Sequence, residues 1–413
     1  MSSLSITPAR LNRTLEELGR IGETPQGMQR LAFSTADVAG REYTVKLMHQ
    51  AGLETRIDPA GNIIGRKEGC DPGLPAIALG SHIDTVPNGG KYDGALGVMG
   101  AIEAVQTLAD HDVLLRHPIE VLVFTNEEGT RFHRWLFGSR AMAGLLEPED
   151  LTVTDDEGVD IGRRLADIGG DLDSIEQAQR KAGELAAYLE LHIEQGPELH
   201  LSGTPIGIVT GITGRAVFTV ELTGIANHAG TTPMLARHDA LVSASRLTLA
   251  VNRIAAEMAV CRVATVGNAK VHPNAVNVVP GRVHLGVEFR DERMESLAAA
   301  EVELRRAAIE IGATDGVDIS IEKIESTPSV PIPVRMQEMV AEAANRCGLA
   351  YRSLPSGAGH DAQAMAAITS PAMIFVPSID GISHAPQEFT TPHDCTNGAA
   401  VLLSLLLLAD EKL

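Results

Sequence analysis

Aromatic residues are scarce in this chain. Phe, Trp and Tyr make up 3 % of its 413 residues, whereas hydrophobic residues as a whole make up an ordinary 44 %. The interior must therefore be built mainly from Leu, Val, Ile and Ala. Because a chain of this length exceeds the size of one typical core, we expect two domains.

Cysteine is also rare, and its spacing forms no motif. The four cysteines, Cys70, Cys261, Cys347 and Cys395, are far apart in the sequence and include no C-x-x-C pair. This spacing argues against a disulfide framework and against a cysteine-based zinc site. We expect buried free thiols in a reducing compartment.

Basic residues and long apolar runs are lacking as well. Lys and Arg number 34 against 54 Asp and Glu, which gives a formal net charge of −20. That balance argues against nucleic acid or an anionic membrane surface as a partner. The N-terminus has no signal-peptide core, and the longest apolar run, "AAVLLSLLLLA", is too short to span a bilayer. We expect this run to form a buried helix, and the protein to be soluble and cytoplasmic.

Apolar strands alternate with helices in both end regions of the chain. The stretches "PAIALGSHIDTV", "HPIEVLVFTNEEG", "AYLELHIEQG" and "AMIFVPSIDG" are typical of strands, and "GALGVMGAIEAVQTLAD" and residues 394–411 of helices. Such alternation predicts an α/β domain whose mixed, mostly parallel sheet is covered by helices on both faces. Residues 154–185 are polar and acidic, and we expect them to form helix and loop on the surface.

The middle of the chain follows another pattern. The half-exposed strand "GRAVFTVELTG" is followed by a helix at 236–258, two strands, a helix at 291–311 and the strand "VDISIEKIE". The order β-α-β-β-α-β is that of a ferredoxin-like α+β domain. The sequence therefore predicts that residues 212–328 are inserted into an α/β domain made of residues 1–211 and 329–413.

Histidines and acids cluster where the predicted strands of the α/β domain end. Ligands of open parallel sheets bind outside the carboxyl ends of the strands, so one crevice could be lined by all of these side chains. No single one of them is specific, but together they predict a site. The residues at strand ends are His82, Asp84, Glu127, Glu128, His192 and His384.

Asp93 adds a further acid at the mouth of this crevice. It lies in the glycine-rich loop "NGGKYDGALG" just before a helix. A shell of imidazoles and carboxylates suits zinc, manganese, cobalt or nickel better than calcium or magnesium. Five candidate ligands are more than one tetrahedral ion needs, so we expect two ions bridged by a carboxylate, for which Asp93 is well placed. Asp84, two residues after His82, could hold the other nitrogen of that ring.

Several motifs resemble one family of metal-dependent amidohydrolases. They are "GSHIDTVPNGGKYDGALGV", "NEEGTRF", "LHIEQGPEL", "NHAGTTPM", "PNAVNVVPG" and "ISHAPQE". The family includes N-carbamoyl-L-amino-acid hydrolase, allantoate amidohydrolase and β-ureidopropionase, within the aminoacylase and carboxypeptidase-like dimetal superfamily. The motifs occur in the family's order, and the resemblance covers the chain from about residue 30 to its end.

The resemblance implies a role for each matching residue. Glu127 would be the general base, Asp84 would orient His82, and His228 would polarise the scissile carbonyl in the partner subunit's site. The smaller domain would act as a lid and as the contact of a homodimer. The implied ligands of the two divalent ions are His82, Asp93 (bridging), Glu128, His192 and His384. The implied substrate-binding residues are Gln195, His228, Asn277, Arg290, Gly359 and His360.

The substrate class follows from the same resemblance, and alternatives stay open. Arg290 implies a substrate with a carboxylate, and "HIEQGP" resembles the branch that acts on carbamoyl and ureido compounds. Allantoate enzymes tend to carry more basic residues after "TGI", where this chain has Arg215 followed by Ala216 and Val217. We therefore favour N-carbamoyl-L-amino acids over allantoate, and over the substrates of β-ureidopropionase, an aminoacylase or a dipeptidase. A non-catalytic relative would have lost ligands or the base, and none of them is missing.

Overall fold

Residues 4–413 are described by the structure, which is a computed structural model. The chain divides into two compact units. The first runs up to Thr210 and resumes with Ile332–Leu413, and the second is Gly211–Pro331. Each unit has its own sheet and its own helices.

The helices of both units, in chain order, are as follows. Those up to the second unit are α1 (Pro8–Arg20), α2 (Thr35–Gln50), α3 (Ala95–Asp110), α4 (Phe137–Ala143), α5 (Ile161–Asp167) and α6 (Glu198–Ser202). The rest are α7 (Ala240–Ala256), α8 (Met294–Asp315), α9 (Val334–Arg346), α10 (Asp361–Met365) and α11 (Pro392–Lys412). Short 3-10 helices occur at Pro148–Leu151, Leu172–Ala178, Met234–Ala236 and Ile379–Gly381.

The strands are numbered in the same way. The first eight strands, which end at Ile212, are β1 (Glu23–Thr24), β2 (Gly27–Met28), β3 (Glu54–Ile57), β4 (Ile63–Lys67), β5 (Ala76–His82), β6 (Ile119–Phe124), β7 (Leu185–Ile193) and β8 (Ile206–Ile212). The others are β9 (Gly214–Thr223), β10 (Asn227–His228), β11 (Val263–His272), β12 (Val278–Val279), β13 (Arg282–Asp291), β14 (Asp318–Thr327), β15 (Val330–Pro331), β16 (Tyr351–Ser356) and β17 (Pro371–Val376).

The large sheet is mixed, as the sequence predicts, but parallel pairing is confined to its centre. Strands β17, β7, β5 and β6 pair in parallel, whereas β8 joins β17 and β4 joins β6 in the antiparallel sense. Strand β3 is also antiparallel, because only a short turn links it to β4 and such a link cannot make a parallel crossover. The central strands β5 and β6 are buried at every residue, as expected for strands covered on both faces.

Helices cover both faces of this sheet. Adjacent residues of a strand point to opposite faces. On β7, the side chain of Leu191 lies against Gly100 of α3 and Gly398 of α11. Its neighbour Glu190 instead accepts a hydrogen bond from the backbone N–H of Ala362 in α10, at 3.0 Å. The α/β class and the two-sided helical cover predicted from the sequence are therefore confirmed.

The apolar run near the C-terminus forms a buried helix, also as predicted. Helix α11 begins after Thr391, whose hydroxyl accepts the N–H of Asp394, and has Pro392 at its first turn, where a missing N–H does no harm. It packs against α3 and α9. Within the described residues, no helix is both long enough and apolar enough to cross a membrane.

Two smaller sequence predictions were only partly correct. Residues 154–185 form helix and loop as predicted, but they do not lie wholly on the surface, because Ile161, Leu165 and Ala178 are buried in a cluster with Phe137. The polar composition of the segment concealed the helical spacing of these few apolar residues. The cysteines are free, but only two are buried, and Cys70 is exposed.

The second unit is a four-stranded antiparallel sheet with two helices. Its strands lie in the order β11-β13-β9-β14, and the elements follow the chain as β-α-β-β-α-β. Strand β9 alternates between buried and half-buried residues, so one face of the sheet is covered. Phe218 and Phe289 meet there edge to face at 5.8 Å, and Leu247 of α7 and Leu304 of α8 belong to the same core.

Candidate metal centre

The ends of the central parallel strands bring the candidate ligands of the first unit together. His82 is the last residue of β5, and His192 is the penultimate residue of the adjacent β7. Glu127 and Glu128 follow β6 on its other side, after Thr125 and Asn126. His384 comes after β17 and a 3-10 turn. Because these strands are parallel, their carboxyl ends share one edge of the sheet.

Asp93 lies between two groups of candidate ligands. Its Oδ1 is 3.5 Å from Nε2 of His82 and 3.2 Å from Nε2 of His192. Its Oδ2 is 3.2 Å from Nε2 of His384, which is 3.6 Å from Oε2 of Glu128. Each oxygen of one carboxylate therefore faces a separate set of donor atoms. The two sets are His82–Asp93–His192 and Asp93–Glu128–His384.

The neighbouring glutamates have different surroundings. Oε2 of Glu127 lies 3.6 Å from Nε2 of His82, whereas Glu128 faces His384. Both side chains are largely buried, and Glu127 belongs to neither three-residue group. Since the strand has ended before them, the alternation of a regular strand no longer fixes their directions.

Asp84 holds the backbone of this pair. Its Oδ1 accepts the N–H of Glu127 and its Oδ2 accepts the N–H of Glu128, both at 3.2 Å. The expected contact with His82 is made by the backbone, since Nδ1 of the ring is 3.0 Å from the carbonyl oxygen of Asp84 and 3.8 Å from its carboxylate. The residue thus fixes the ring through its main chain and the glutamates through its side chain.

The acids of the cluster have strongly shifted pKa values. Burial raises the pKa of Glu128 to about 8, and the negative charge of Asp93 adds to this effect. Burial likewise raises the pKa of Glu127 well above its usual range, and Glu128 contributes in the same direction. Burial alone would also raise the pKa of Asp93, but hydrogen bonding to His192, His384 and His82 holds it well below its usual range. A bound cation would favour the ionised form of all three carboxyls.

The loop that carries Asp93 has little freedom to vary. Gly94 has φ +62, and a Cβ there would lie 2.4 Å from the ring of His82. Gln195, also with positive φ, donates from Nε2 to Oδ2 of Asp93 at 2.7 Å. The sequence-predicted substrate residue Gln195 therefore touches the shared carboxylate itself.

The predicted pocket residues Gly359 and His360 lie in the same unit. The ring of His360 packs edge-on against His192, with centroids 4.4 Å apart, and its Nε2 is 2.7 Å from the hydroxyl of Ser356. A Cβ on Gly359 would lie 2.2 Å from the ring of Trp135. A glycine is thus needed where the loop passes the single tryptophan of the chain.

The other three predicted residues lie in the second unit. His228 on β10 pairs with Val278 on β12, next to Asn277, so the fold brings His228 and Asn277 close together. Arg290 lies on β13, where its Nε donates to Glu288 at 2.7 Å. The other carboxylate oxygen of Glu288 accepts from Nε of Arg215 at 2.6 Å.

Sequence reasoning missed two acids next to the ligands. Glu190 lies two residues before His192 on the same face of β7, where it forms a third donor group with His192 and His360. Its Oε1 accepts the hydroxyl of Ser81 at 2.8 Å. Glu388 is the last residue of "ISHAPQE", four positions after His384, and is 4 % exposed. The spacing of acid and histidine was the available signal in both cases.

The donor set fits a pair of transition-metal ions. It consists of imidazole and carboxylate groups in two clusters of three with one member shared. Oε1 of Glu128 is buried and has no hydrogen-bond partner among residues 4–413. A buried acceptor without a partner costs free energy, and a cation at this position would remove the cost.

Comparison with known proteins agrees with this geometry. Residues 78–408 match the model of peptidase family M20/M25/M40, whose members typically depend on two metal ions. An N-carbamoyl-L-amino acid amidohydrolase of Geobacillus stearothermophilus is 42 % identical, covering 95 % of this chain and 96 % of the relative. A ureidoglycolate hydrolase of Arabidopsis thaliana is 38 % identical over 97 % of this chain and 86 % of its own length. An allantoate amidohydrolase of Bacillus subtilis is 34 % identical over 95 % of both chains.

Solved structures give the same result. A hydantoinase/carbamoylase family amidase of Burkholderia multivorans superposes with a TM-score of 0.92 at 39 % identity, covering 98 % of both chains. This similarity extends over both units of the chain. The chain therefore belongs to peptidase family M20/M25/M40 and is a hydrolase that acts on C–N amide bonds.

Proposed function

We propose that the protein hydrolyses the carbamoyl C–N bond of N-carbamoyl-L-amino acids, releasing the amino acid, carbon dioxide and ammonia. The observation that carries the proposal is the position of Asp93, which turns one oxygen to each of two ligand groups, with Glu127 beside His82. The names of several relatives, among them the 42 % identical one, support this substrate class.

In this proposal the five ligands hold two divalent ions, zinc or alternatively manganese, cobalt or nickel. His82 and His192 would hold one, Glu128 and His384 would hold the other, and Asp93 would be common to both groups. When bound, such a pair polarises a carbonyl oxygen and lowers the pKa of a coordinated water toward about 7.

Glu127 is the proposed general base. Its carboxylate takes a proton from the water whose oxygen attacks the carbamoyl carbon, and returns that proton to the leaving nitrogen as the C–N bond breaks. The resulting carbamate loses carbon dioxide. The backbone bonds from Asp84 hold Glu127 in place for both transfers. His228, with Asn277 beside it, would stabilise the negative charge that develops on the carbonyl oxygen.

We propose, from the family resemblance, a homodimer in which the second unit is both the lid and the dimer contact. Arg290 would bind the substrate carboxylate, to which a guanidinium can donate two parallel hydrogen bonds. Gln195, Gly359 and His360 would line the remainder of the pocket. The cytoplasmic location expected from the sequence stays a prediction.

Allantoate and ureidoglycolate are the alternative substrates, because relatives named for both are similar to this chain. The basic charge of Arg215 is shared with Glu288 at 2.6 Å and with Glu325 at 3.4 Å. Ala216 and Val217 add no further cation. Because allantoate enzymes tend to carry more basic residues in this stretch, so little uncompensated positive charge favours N-carbamoyl amino acids over allantoate.

We expect N-carbamoyl-L-methionine to be hydrolysed with a kcat/KM at least about ten-fold above that for allantoate or ureidoglycolate, because a site made for one ureido acid leaves polar groups unpaired with another. Ammonia release by the Mn²⁺-loaded protein on each substrate measures this ratio. N-acetyl-L-methionine serves as the control for aminoacylase activity. A higher kcat/KM for allantoate or ureidoglycolate would reassign the substrate. A higher kcat/KM for N-acetyl-L-methionine would contradict all of the proposed carbamoyl and ureido substrates.

If Arg290 serves the partner's site, Arg290→Ala and Glu127→Gln should complement each other. Each variant alone is expected to be nearly inactive, but a mixed dimer has one site with both native residues. Random exchange makes about half of the dimers mixed, so about one quarter of wild-type activity should return. Each variant refolded alone is the control. Mixed dimers that form, as shown with two different affinity tags, and yet have no activity would contradict shared sites.

A further inference from the structure

Glu388 joins two segments of the metal centre that are about 290 residues apart in the chain. Its Oε1 accepts the backbone N–H of Tyr92 at 3.0 Å and that of Asp93 at 3.1 Å. Its Oε2 accepts the hydroxyl of Ser383 at 2.8 Å and the backbone N–H of His384 at 3.3 Å. One carboxylate thus uses one oxygen for each segment.

The surroundings of Glu388 are closely packed. The side chain is buried, and a Cβ on Gly90 would lie 2.2 Å from its Oε1. Glycine is therefore required where the Asp93 loop crosses this side chain. Ser383 provides a second link, since its hydroxyl lies 3.2 Å from Oδ2 of Asp93.

We propose that Glu388 is a positioning residue that sets the distance between Asp93 and His384, and through it the affinity for the ion that these two residues share with Glu128. The inference rests on the proposed metal centre. Glu388 binds no ion itself in this proposal. It acts by fixing the backbone of two ligands from different parts of the chain, as hydrogen-bonding partners behind metal ligands commonly do.

Glutamine at this position would keep the shape but only one of the two acceptors. The hydroxyl of Ser383 can accept from the new NH₂ group and donate to Asp93, so that contact survives in altered form. The N–H of His384 would then face another donor. The group formed by His82, Asp93 and His192 does not contain His384 and keeps its own contacts.

The test is calorimetric titration of Mn²⁺ into the metal-free full-length protein. For Glu388→Gln we expect one of two Mn²⁺ ions to bind about 10–100-fold more weakly, and the other to keep its affinity. For Glu388→Ala we expect both ions to bind more weakly, because the N–H of Asp93 also loses its partner. Activity of Glu388→Gln should return when Mn²⁺ is raised in proportion, with KM for the substrate unchanged.

Glu103→Gln is the matched control for a purely structural effect. Glu103 is a buried carboxylate on α3 that accepts the backbone N–H of Thr7 at 2.7 Å and pairs with Arg10. Its variant should lower the Tm of the metal-free protein and leave both Mn²⁺ affinities unchanged. If Glu388→Gln behaves in the same way, the positioning role is overturned.

The outcomes also separate this inference from the proposed function. A wild-type protein that binds two Mn²⁺ ions but cleaves no ureido substrate would overturn the function, while the titrations of Glu388→Gln still decide the positioning role. Fewer than two bound ions in the wild type would overturn both. If Glu388→Ala does not fold, the Mn²⁺ titration of the isosteric Glu388→Gln variant still tests the positioning role.

Discussion

Replacing Glu127 by glutamine is expected to lower kcat by about 10²–10⁴-fold while both metal ions stay bound. The amide keeps the shape of the side chain but cannot take a proton from water. Glu127 belongs to neither of the two ligand groups that share Asp93, so its loss should leave those donors in place. Steady-state kinetics with saturating Mn²⁺, together with the metal content of the dialysed protein, measure the two effects.

The adjacent residue provides the control. Glu128→Gln removes a carboxylate that faces His384 and belongs to the second group, so its activity loss should come with weaker binding of one ion and should diminish at high Mn²⁺. The opposite result, metal loss in Glu127→Gln and full metal content in Glu128→Gln, would exchange the two roles. Unchanged kcat in Glu127→Gln would remove it from the base role altogether.

The sequence was sufficient to predict which residues meet at the sheet edge. His82, Glu127 and His192 each follow or end an apolar run, and buried parallel strands must deliver their carboxyl ends to one place. Asp93 was predicted from its glycine-rich loop before a helix. The inferences at the strand ends need only the apolar pattern of the sequence and the direction of the strands.

The directions of the side chains beyond the strand ends could not be predicted from the sequence. Spacing left Glu127 and Glu128 interchangeable, because the backbone after β6 leaves the regular strand and Asn126 takes a positive φ. The expectation for Asp84 missed that its carboxylate would bind two backbone N–H groups of a segment 43 residues away. Such bonds depend on loop geometry, which local propensity does not encode.

Two sets of contacts that the sequence analysis did not predict are made by acids whose carboxylates accept backbone N–H groups. Asp84 fixes the two glutamates, and Glu388 fixes Asp93 and His384. A carboxylate near a histidine in the sequence suggests a metal ligand or a hydrogen-bond partner of the ring. The sequence alone would allow either role for Asp84 and for Glu388. Apart from the hydroxyl of Ser383, which donates to Glu388, their contacts are with main-chain donors that sequence periodicity cannot identify. The candidate ligands are thus held by two carboxylates that make no short contact with a side chain of the candidate ligand set.

Asp93→Ala is expected to weaken binding of both ions by at least about 100-fold, the largest effect on metal content of any single substitution here. The reason is the division of its oxygens, of which Oδ1 faces His82 and His192 and Oδ2 faces His384. Removing the carboxylate therefore takes one donor from each group. It also leaves the imidazoles of His82, His192 and His384 without the carboxylate that faces all three, and so without its negative charge to offset the charge of a bound cation.

Glu128→Ala is the control variant for this prediction, because Glu128 belongs to one group only. It should reduce the Mn²⁺ content after dialysis from two ions toward one, whereas Asp93→Ala should reduce it toward zero. Thermal unfolding of the metal-free proteins separates these losses from misfolding. If Asp93→Ala keeps one tightly bound ion, the carboxylate serves a single site, and the two groups of donors are not joined through it. If both variants lose both ions together, the two ions bind as one cooperative unit in which Glu128 matters as much as Asp93.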